Sequence, residues 1–119
     1  GCAGSIGVIA LHTSVAGALE KAGVEVTILK AGARKADLNP YEALQPEVRD
    51  RYLDELEALR VKFAEMVGLH RGDRLTAEAA LATEADTFNG EAAVAAGLAD
   101  AVADPREALD AFIEEINRA

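Results

Sequence analysis

Residues 4–29, GSIGVIALHTSVAGALEKAGVEVTIL, set the architecture expected for this chain. Gly4–Ala10 is a short apolar stretch opened by glycines, which is typical of a buried strand entered through a tight turn. A helix is predicted next, from residue 13 or 14 to residue 21, where an Ala-Gly pair ends it. Val24–Leu29 then alternates apolar and polar residues, the period of a strand. This order predicts an α/β fold with a right-handed, parallel βαβ unit.

The remaining sequence predicts a helix-rich C-terminal half. A loop without any period is expected over Ala31–Tyr41, after the second predicted strand, where α/β folds place functional residues. Pro46 should begin a long amphipathic helix that reaches about Gly68. The other expected elements are a helix over Ala77–Ala82 capped by Thr76, a helix over Gly90–Ala96 closed by Gly97, a short strand over Leu98–Val102, and a final helix from Pro105 to about Asn117.

Length and composition limit the class of protein. With 119 residues and no recognisable linker, residues 1–119 are expected to form a single domain. The 21 acidic and 12 basic side chains give a formal net charge of −9, which argues against a nucleic acid partner because phosphates would be repelled. The longest apolar run, Ile6–Leu11, is far shorter than the roughly 20 residues of a membrane-spanning helix. We therefore expect no membrane partner for this segment and a cytoplasmic location.

Three stretches together resemble the signal peptide peptidase A family of Ser-Lys serine proteases. They are GSIGV at Gly4–Val8, AGARKADLNPY at Ala31–Tyr41, and TFNGEAAVAAGLAD at Thr87–Asp100, which fits the family pattern F-x-G-x-x-A-x-x-x-G-L-x-D. Asn39-Pro40-Tyr41 and Arg71-Gly72 look most like the phage and prophage capsid-maturation branch of that family. The resemblance implies the C-terminal portion of a catalytic domain with the fold of the Clp protease subunit and the crotonases.

The resemblance implies a serine endopeptidase that acts on peptide or protein substrates, such as scaffold and capsid proteins in a phage prohead. In such a protease a lysine amine takes the proton of the attacking serine. A free lysine, with a pKa of about 10.4, is almost fully protonated at pH 7, so the base needs a dry setting. The resemblance assigns the role of base to Lys35, among small loop residues. Arg34 stands where the family usually has histidine, and Lys30 is the competing lysine.

Ser5 resembles the family serine that hydrogen-bonds the lysine and orients its amine. The alternative for Ser5 is a turn serine whose hydroxyl bonds the local backbone. Ser14 is more typical of a helix cap than of a nucleophile. The resemblance places the nucleophile and the oxyanion amides before Gly1. We therefore expect residues 1–119 to supply the base and to be inactive alone. Such a piece should expose a strand edge, and, since the family forms rings, we expect a homo-oligomer.

Other chemistry-bearing residues give weaker signals. Cys2 is the single cysteine, so no internal disulfide can form, and nothing marks its thiol as activated. His12 and His70 lie far apart in the sequence, and we expect neither a metal nor another cofactor. The charged residues of the long helix should form a solvated face with (i, i+3) and (i, i+4) pairs. Two rival functions stay open: a non-catalytic assembly or scaffold module with the protease fold, and a crotonase-like acyl-CoA enzyme, which would not need Lys35.

Overall fold

The computed structural model describes residues 1–118. Two compact units are formed: a first unit made of Gly1–Gly7 and the chain from Val61 onward, and a second unit made of Val8–Arg60. The expectation of one domain over residues 1–119 stays a prediction. Along the chain lie β1 (Cys2–Gly4), α1 (Ala16–Lys21), α2 (Pro46–Arg71), a 3-10 turn (Gly72–Arg74), α3 (Ala77–Ala82), β2 (Thr87–Asn89), α4 (Gly90–Ala95) and α5 (Pro105–Arg118).

The first unit has a small core made largely of short side chains. Ala64 of α2 and Ala80 of α3 are fully buried, and because each carries only a methyl group, their helices can pack closely. Gly68 of α2 also allows close packing, because a Cβ there would meet the backbone nitrogen of Ala77 at 2.7 Å. The rest of the core consists of Ile6 and Leu75, with the partly buried Val67, Leu81 and Leu98 against it.

The prediction of a parallel βαβ unit was wrong. The strands that the structure assigns within residues 1–118 are β1 and β2, and they pair antiparallel, with Ala3 opposite Phe88. Residues 5–10 and 24–29 form no strand, and the side chains of Ile9 and Leu29 are 84% and 92% exposed. A strand needs a neighbour for its N–H and C=O groups. Apart from the amide of Ser5, which donates to Asp86 O, neither stretch pairs with another strand in the described residues. Helices with a small sheet still fit the α/β class.

The short strand predicted over Leu98–Val102 was also wrong. The backbone amides of Leu98 and Ala99 both donate to the carbonyl of Ala93, at 2.9 Å and 3.2 Å, and so close the end of α4. These amides are therefore not free for a sheet. The strand of this region forms earlier, at Thr87–Asn89, because that stretch pairs with β1.

The predicted helices are confirmed, with small shifts at their ends. α1 begins later than expected, at Ala16, and its N-cap residue is Val15 rather than Ser14, although the amide of Ala16 donates to Ser14 Oγ at 3.3 Å. α2 begins at the predicted Pro46 but runs three residues beyond Gly68, and α4 ends at Ala95, one residue early.

Local capping explains why α3 and α5 match the prediction closely. Thr76 Oγ1 accepts a hydrogen bond from the amide of Ala79 at 3.1 Å, and Asp104 Oδ1 accepts one from the amide of Arg106 at 2.9 Å. α5 is exposed along its whole length, and its large apolar residues form one stripe. None of the helices in residues 1–118 is long and apolar enough to cross a membrane. The stripe on α5 comprises Leu109, Phe112, Ile113 and Ile116.

Candidate active site

The Ala31–Tyr41 loop is irregular, as predicted, and winds through successive turns. Lys35 N donates to Gly32 O, Asp37 N to Arg34 O, and Asn39 N to Ala36 O, each at 3.2 Å. Lys35 therefore lies within a wound backbone rather than on an open strand. Its side chain is exposed, and it forms no hydrogen bond or ion pair with any other residue in 1–118.

Asn39 joins the end of this loop to its surroundings. Its Nδ2 donates to Ala36 O at 2.7 Å and to Glu42 Oε2 at 2.8 Å, and its Oδ1 accepts from the amide of Tyr41 at 2.9 Å. Its backbone carbonyl accepts from His12 Nε2 at 2.9 Å. Asparagine before proline commonly forms such a turn, because its short amide can bond the backbone two residues on. The side chain thus fixes the chain on both sides of residue 39.

Asp37 ties the middle of the loop to α2. Its carboxylate forms an ion pair with the guanidinium of Arg51. The two side chains are only 12% and 26% exposed, whereas those of the neighbouring Arg49–Asp50 pair are 58% and 62% exposed. The hydrogen bond to Asp37 raises the pKa of Arg51 above its ordinary value. Arg51 also lies over the ring of Tyr52, 5.2 Å from its centroid.

An apolar groove of about 370 Å³ lies beside the loop in the second unit. Leu38 lines it from the loop and has a left-handed backbone, with φ +56. A leucine in this conformation is uncommon, and such strained residues are often found next to functional sites. The other large apolar residues of the groove are Leu11, Leu44, Tyr52, Leu53 and Leu56.

Ser5 lies in a tight turn of the first unit, directly after β1. The turn is left-handed, with φ +127 at Gly4 and φ +58 at Ser5, and Gly7 N donates to Ser5 O at 2.8 Å. Ser5 N donates to Asp86 O at 2.8 Å, and a Cβ at Gly4 would overlap that carbonyl. The exposed Ser5 hydroxyl forms no hydrogen bond with the described residues, so the local backbone does not use it. Ser5 and Lys35 belong to different units.

A sequence model of peptidase family S49 matches residues 1–117, which is nearly the whole chain. The chain belongs to peptidase family S49. The head-tail preconnector protein of Enterobacteria phage P21 is 40% identical over 114 residues, which are 96% of this chain and 22% of the phage protein. Capsid assembly protease C of Escherichia phage lambda is 41% identical over 115 residues, which are 91% of this chain and 26% of the phage protein.

These relatives confirm the resemblance to the phage branch of the S49 peptidases. Both are phage proteins whose names refer to the head or the capsid, and one is named a protease. This S49 chain spans about a quarter of the length of either relative. The Ser-Lys dyad and the role of each residue in it stay predictions.

The S49 pattern in Thr87–Asp100 is explained by packing rather than by chemistry. Phe88 is half-buried in β2 opposite Ala3, and Gly90, with φ +49, turns the chain from β2 into α4. Ala93 is buried, and Gly97, with φ +74, ends the helix. Ala93 is therefore small because its site is buried, and Gly90 and Gly97 are glycines because their positive φ disfavours other residues.

The last residue of that S49 pattern, Asp100, forms ion pairs with two arginines. Arg71 Nη1 and Nη2 donate to its two carboxylate oxygens at 3.0 Å each, and Arg74 also donates to it. The hydrogen bond from Arg71 is the main cause that lowers the pKa of Asp100 below its ordinary value, and Arg74 adds to it. This aspartate joins the chain after α4 to the end of α2.

Sequence reasoning missed two features of this S49 loop. The sequence predicts no role for Asp37, and Asn39 stands out in it only as part of a phage-like pattern. The Asn-Pro dipeptide was the available signal for the Asn39 turn, whereas no local pattern announces that Asp37 binds Arg51, 14 residues later. The expected pairs along α2 are confirmed, with Arg51–Glu55 at 4.0 Å and Arg60–Glu57 at 3.2 Å.

The remaining candidates have the following positions in this S49 chain. Cys2 lies exposed in β1. His70 borders an apolar cavity of about 390 Å³ in the first unit, together with Phe63 and Met66. Nowhere in residues 1–118 do three or more His, Cys, Asp or Glu side chains come together in a way that could hold a metal ion.

Proposed function

We propose that this chain supplies the general base of a Ser-Lys serine endopeptidase that cleaves scaffold or capsid proteins during phage head maturation. The observation that carries this proposal is the match to family S49 over residues 1–117, together with a phage relative named as a capsid assembly protease. The proposed place of action is the prohead in the cytoplasm of the host cell.

In the proposed reaction the Lys35 amine takes the proton of a serine hydroxyl as that hydroxyl attacks the peptide carbonyl. The serine and the oxyanion amides come from a part of the protein outside these residues. The proton then passes from the lysine to the leaving amine as the peptide C–N bond breaks and an acyl-serine remains. Water, giving its proton to the same lysine, then attacks this ester, and the proton returns to the serine oxygen as the acid is released. Ser5 orients the Lys35 amine through its free hydroxyl. Water must be excluded when substrate binds, because an amine in bulk water stays protonated at neutral pH.

The local structure supports this assignment in two ways. Lys35 lies in a loop that is wound by its own hydrogen bonds and held by Asn39 and Asp37, so its backbone has a defined position. The groove beside the loop offers an apolar wall of suitable size for a side chain of an extended peptide. We further propose that the chain by itself does not cleave peptides and that copies associate through the exposed apolar stripe of α5.

A second candidate function is a non-catalytic role in assembly. One relative is named for the connection of head and tail rather than for proteolysis, which is the observation that favours it. An assembly module with the same fold would need the packing residues of Thr87–Asp100 but not the amine of Lys35. Loss or retention of function on changing Lys35 therefore separates the two candidates.

The experiment uses the full-length protein and a scaffold or capsid protein as substrate. Lys35→Ala is expected to lower the cleavage rate by about 10²–10⁴, the usual worth of a general base. Lys35→Arg should be as inactive, because a guanidinium cannot give up its proton in a protein. Lys30→Ala, a matched change in the same region, should leave cleavage nearly unchanged. Near-normal cleavage by Lys35→Arg would show that Lys35 is not the base. If the wild type does not cleave the substrate and the Lys35 variants assemble as the wild type does, the assembly role is favoured.

A further inference from the structure

The part of the loop around Lys35, before Asn39, has few side chains that could hold it in place. Ala31, Gly32, Ala33 and Ala36 offer no side chain longer than a methyl group, and Gly32 has φ +93. Turns closed by single hydrogen bonds are weak in water, because each contributes only about 1 kcal/mol. The position of the lysine must therefore depend on contacts outside the turns.

Asp37 makes such a contact, two residues after Lys35. Its carboxylate binds Arg51 on α2, about one and a half turns from the start of that helix at Pro46. A long helix is a rigid support, and the charge-assisted hydrogen bond from Arg51 Nη2 to Asp37 Oδ2 holds the carboxylate against it. The pair therefore transmits the position of the helix to the residues around Lys35.

The surroundings of the pair distinguish it from the other surface ion pairs of α2. Both of its side chains are partly buried, whereas those of the Arg49–Asp50 pair are mostly exposed. Arg51 is held further by the ring of Tyr52 and by Glu55, whose Oε1 lies 4.0 Å from its Nε. Exposed ion pairs contribute little to stability. A pair that is partly shielded from water and contacted by other side chains can keep its two charged groups in a fixed arrangement.

We infer that Asp37 and Arg51 are positioning residues that hold the Lys35 loop on α2 in the geometry required for catalysis. The inference rests on the proposed function of Lys35 as general base. It predicts that loss of either residue lowers kcat without much effect on KM, because the lysine acts in the chemical step. A displacement of about 1 Å in a catalytic group can cost roughly 10²-fold in rate, so a loss of that order is expected.

The test is a double-mutant cycle in the full-length protein. Asp37→Ala and Arg51→Met should each lower kcat by roughly 10²-fold, and the double variant should be no worse than the poorer single variant, because the second change removes nothing more. Glu57→Ala, which removes the exposed carboxylate of the Arg60–Glu57 pair on the same helix, is the matched control and should keep wild-type kcat. Effects that add in the double variant, or a full kcat in Asp37→Ala, would overturn the inference.

A second readout does not depend on activity. Limited trypsin digestion, with the products identified by mass, should cut after Arg34 and Lys35 roughly tenfold faster in Asp37→Ala than in wild type, because cleavage follows the population of the released loop. Glu57→Ala should be cut at the wild-type rate. Equal rates in all three proteins would contradict the inference. If Asp37→Ala does not fold, Arg51→Lys decides: a lowered kcat with an unchanged unfolding temperature supports the inference, and an unchanged kcat overturns it.

The cycle also separates this inference from the proposed function. Lys35→Ala is measured in the same assay. If Lys35→Ala cleaves like wild type, Lys35 is not the base and both proposals are wrong. If Lys35→Ala is inactive while Asp37→Ala keeps full kcat, only the positioning role is wrong.

Discussion

Gly97 lies against the backbone carbonyl of Arg74, so close that a Cβ on residue 97 would overlap the carbonyl oxygen. Gly97 also has φ +74, and its own carbonyl accepts a hydrogen bond from Arg71 Nε at 2.7 Å. One glycine thus joins the end of α4 to the 3-10 turn and to the last residue of α2. Both the backbone conformation and the space require glycine at this position.

We expect Gly97→Ala to lower the free energy of unfolding through two separate causes. The left-handed backbone costs about 1–2 kcal/mol for alanine, and the overlap with Arg74 costs about 1–3 kcal/mol more. Gly72→Ala is the matched control, because Gly72 has φ +58 but nothing within 4 Å of the added Cβ. Urea unfolding followed by circular dichroism measures both variants. Equal losses in the two would show that the contact with Arg74 relaxes freely.

Asp100 should make the first unit sensitive to acid. Its pKa in the folded chain is lowered from the ordinary 3.8, first by the hydrogen bond from Arg71. At a pH between the pKa of Asp100 in the folded chain and its pKa in the unfolded chain, the unfolded chain binds more protons. The contribution of Asp100 to the free energy of unfolding is therefore complete above about pH 4 and is lost as pH falls through the pKa of the folded chain. Wild type should be more stable than Asp100→Asn at pH 7, and the difference should shrink below pH 4. A constant difference across that range would contradict the ion pairs with Arg71 and Arg74.

The Ser5 hydroxyl should matter for cleavage but not for stability. Because this hydroxyl bonds none of the described residues, Ser5→Ala is expected to leave the unfolding temperature of the full-length protein unchanged. Cleavage should fall by roughly tenfold, the worth of one hydrogen bond to the lysine, which is less than the loss in Lys35→Ala. Ser5→Gly should lose the same activity, but its free energy of unfolding should rise by about 1 kcal/mol because glycine accepts the left-handed backbone. Wild-type cleavage by both variants would show that Ser5 does not orient the base.

Self-association should depend on the apolar stripe of α5. Phe112 is 58% exposed near the middle of that stripe, and burying such a side chain contributes about 1.5–3 kcal/mol. The 119-residue chain is expected to sediment as an oligomer at micromolar concentration, and Phe112→Ser should shift it towards the monomer. Glu107→Gln, on the same helix, is the control and should sediment like wild type. A monomeric wild type, or a Phe112→Ser variant that associates fully, would count against this surface.

The sequence predicted those parts of the fold whose determinants lie close together in the chain. The caps Thr76 and Asp104 and the first-turn proline Pro46 fixed where three helices begin, because each acts on residues within one helical turn. The loop around Lys35 was predicted for the same reason, since Gly32 and Pro40 interrupt regular structure locally. The family was also predicted, from three short patterns and their order.

Tertiary structure alone decided which short apolar stretches became strands and what holds the Lys35 loop. Cys2–Gly4 forms a strand because Thr87–Asn89 lies beside it, while Val24–Leu29 has a better alternation of residue types but no partner within residues 1–118. Asp37 and Arg51 look like ordinary surface charges in the sequence, and only folding shelters them from water together. A helix satisfies its backbone within itself, but a strand or an ion pair needs a group from elsewhere in the chain, and local sequence does not reveal that group.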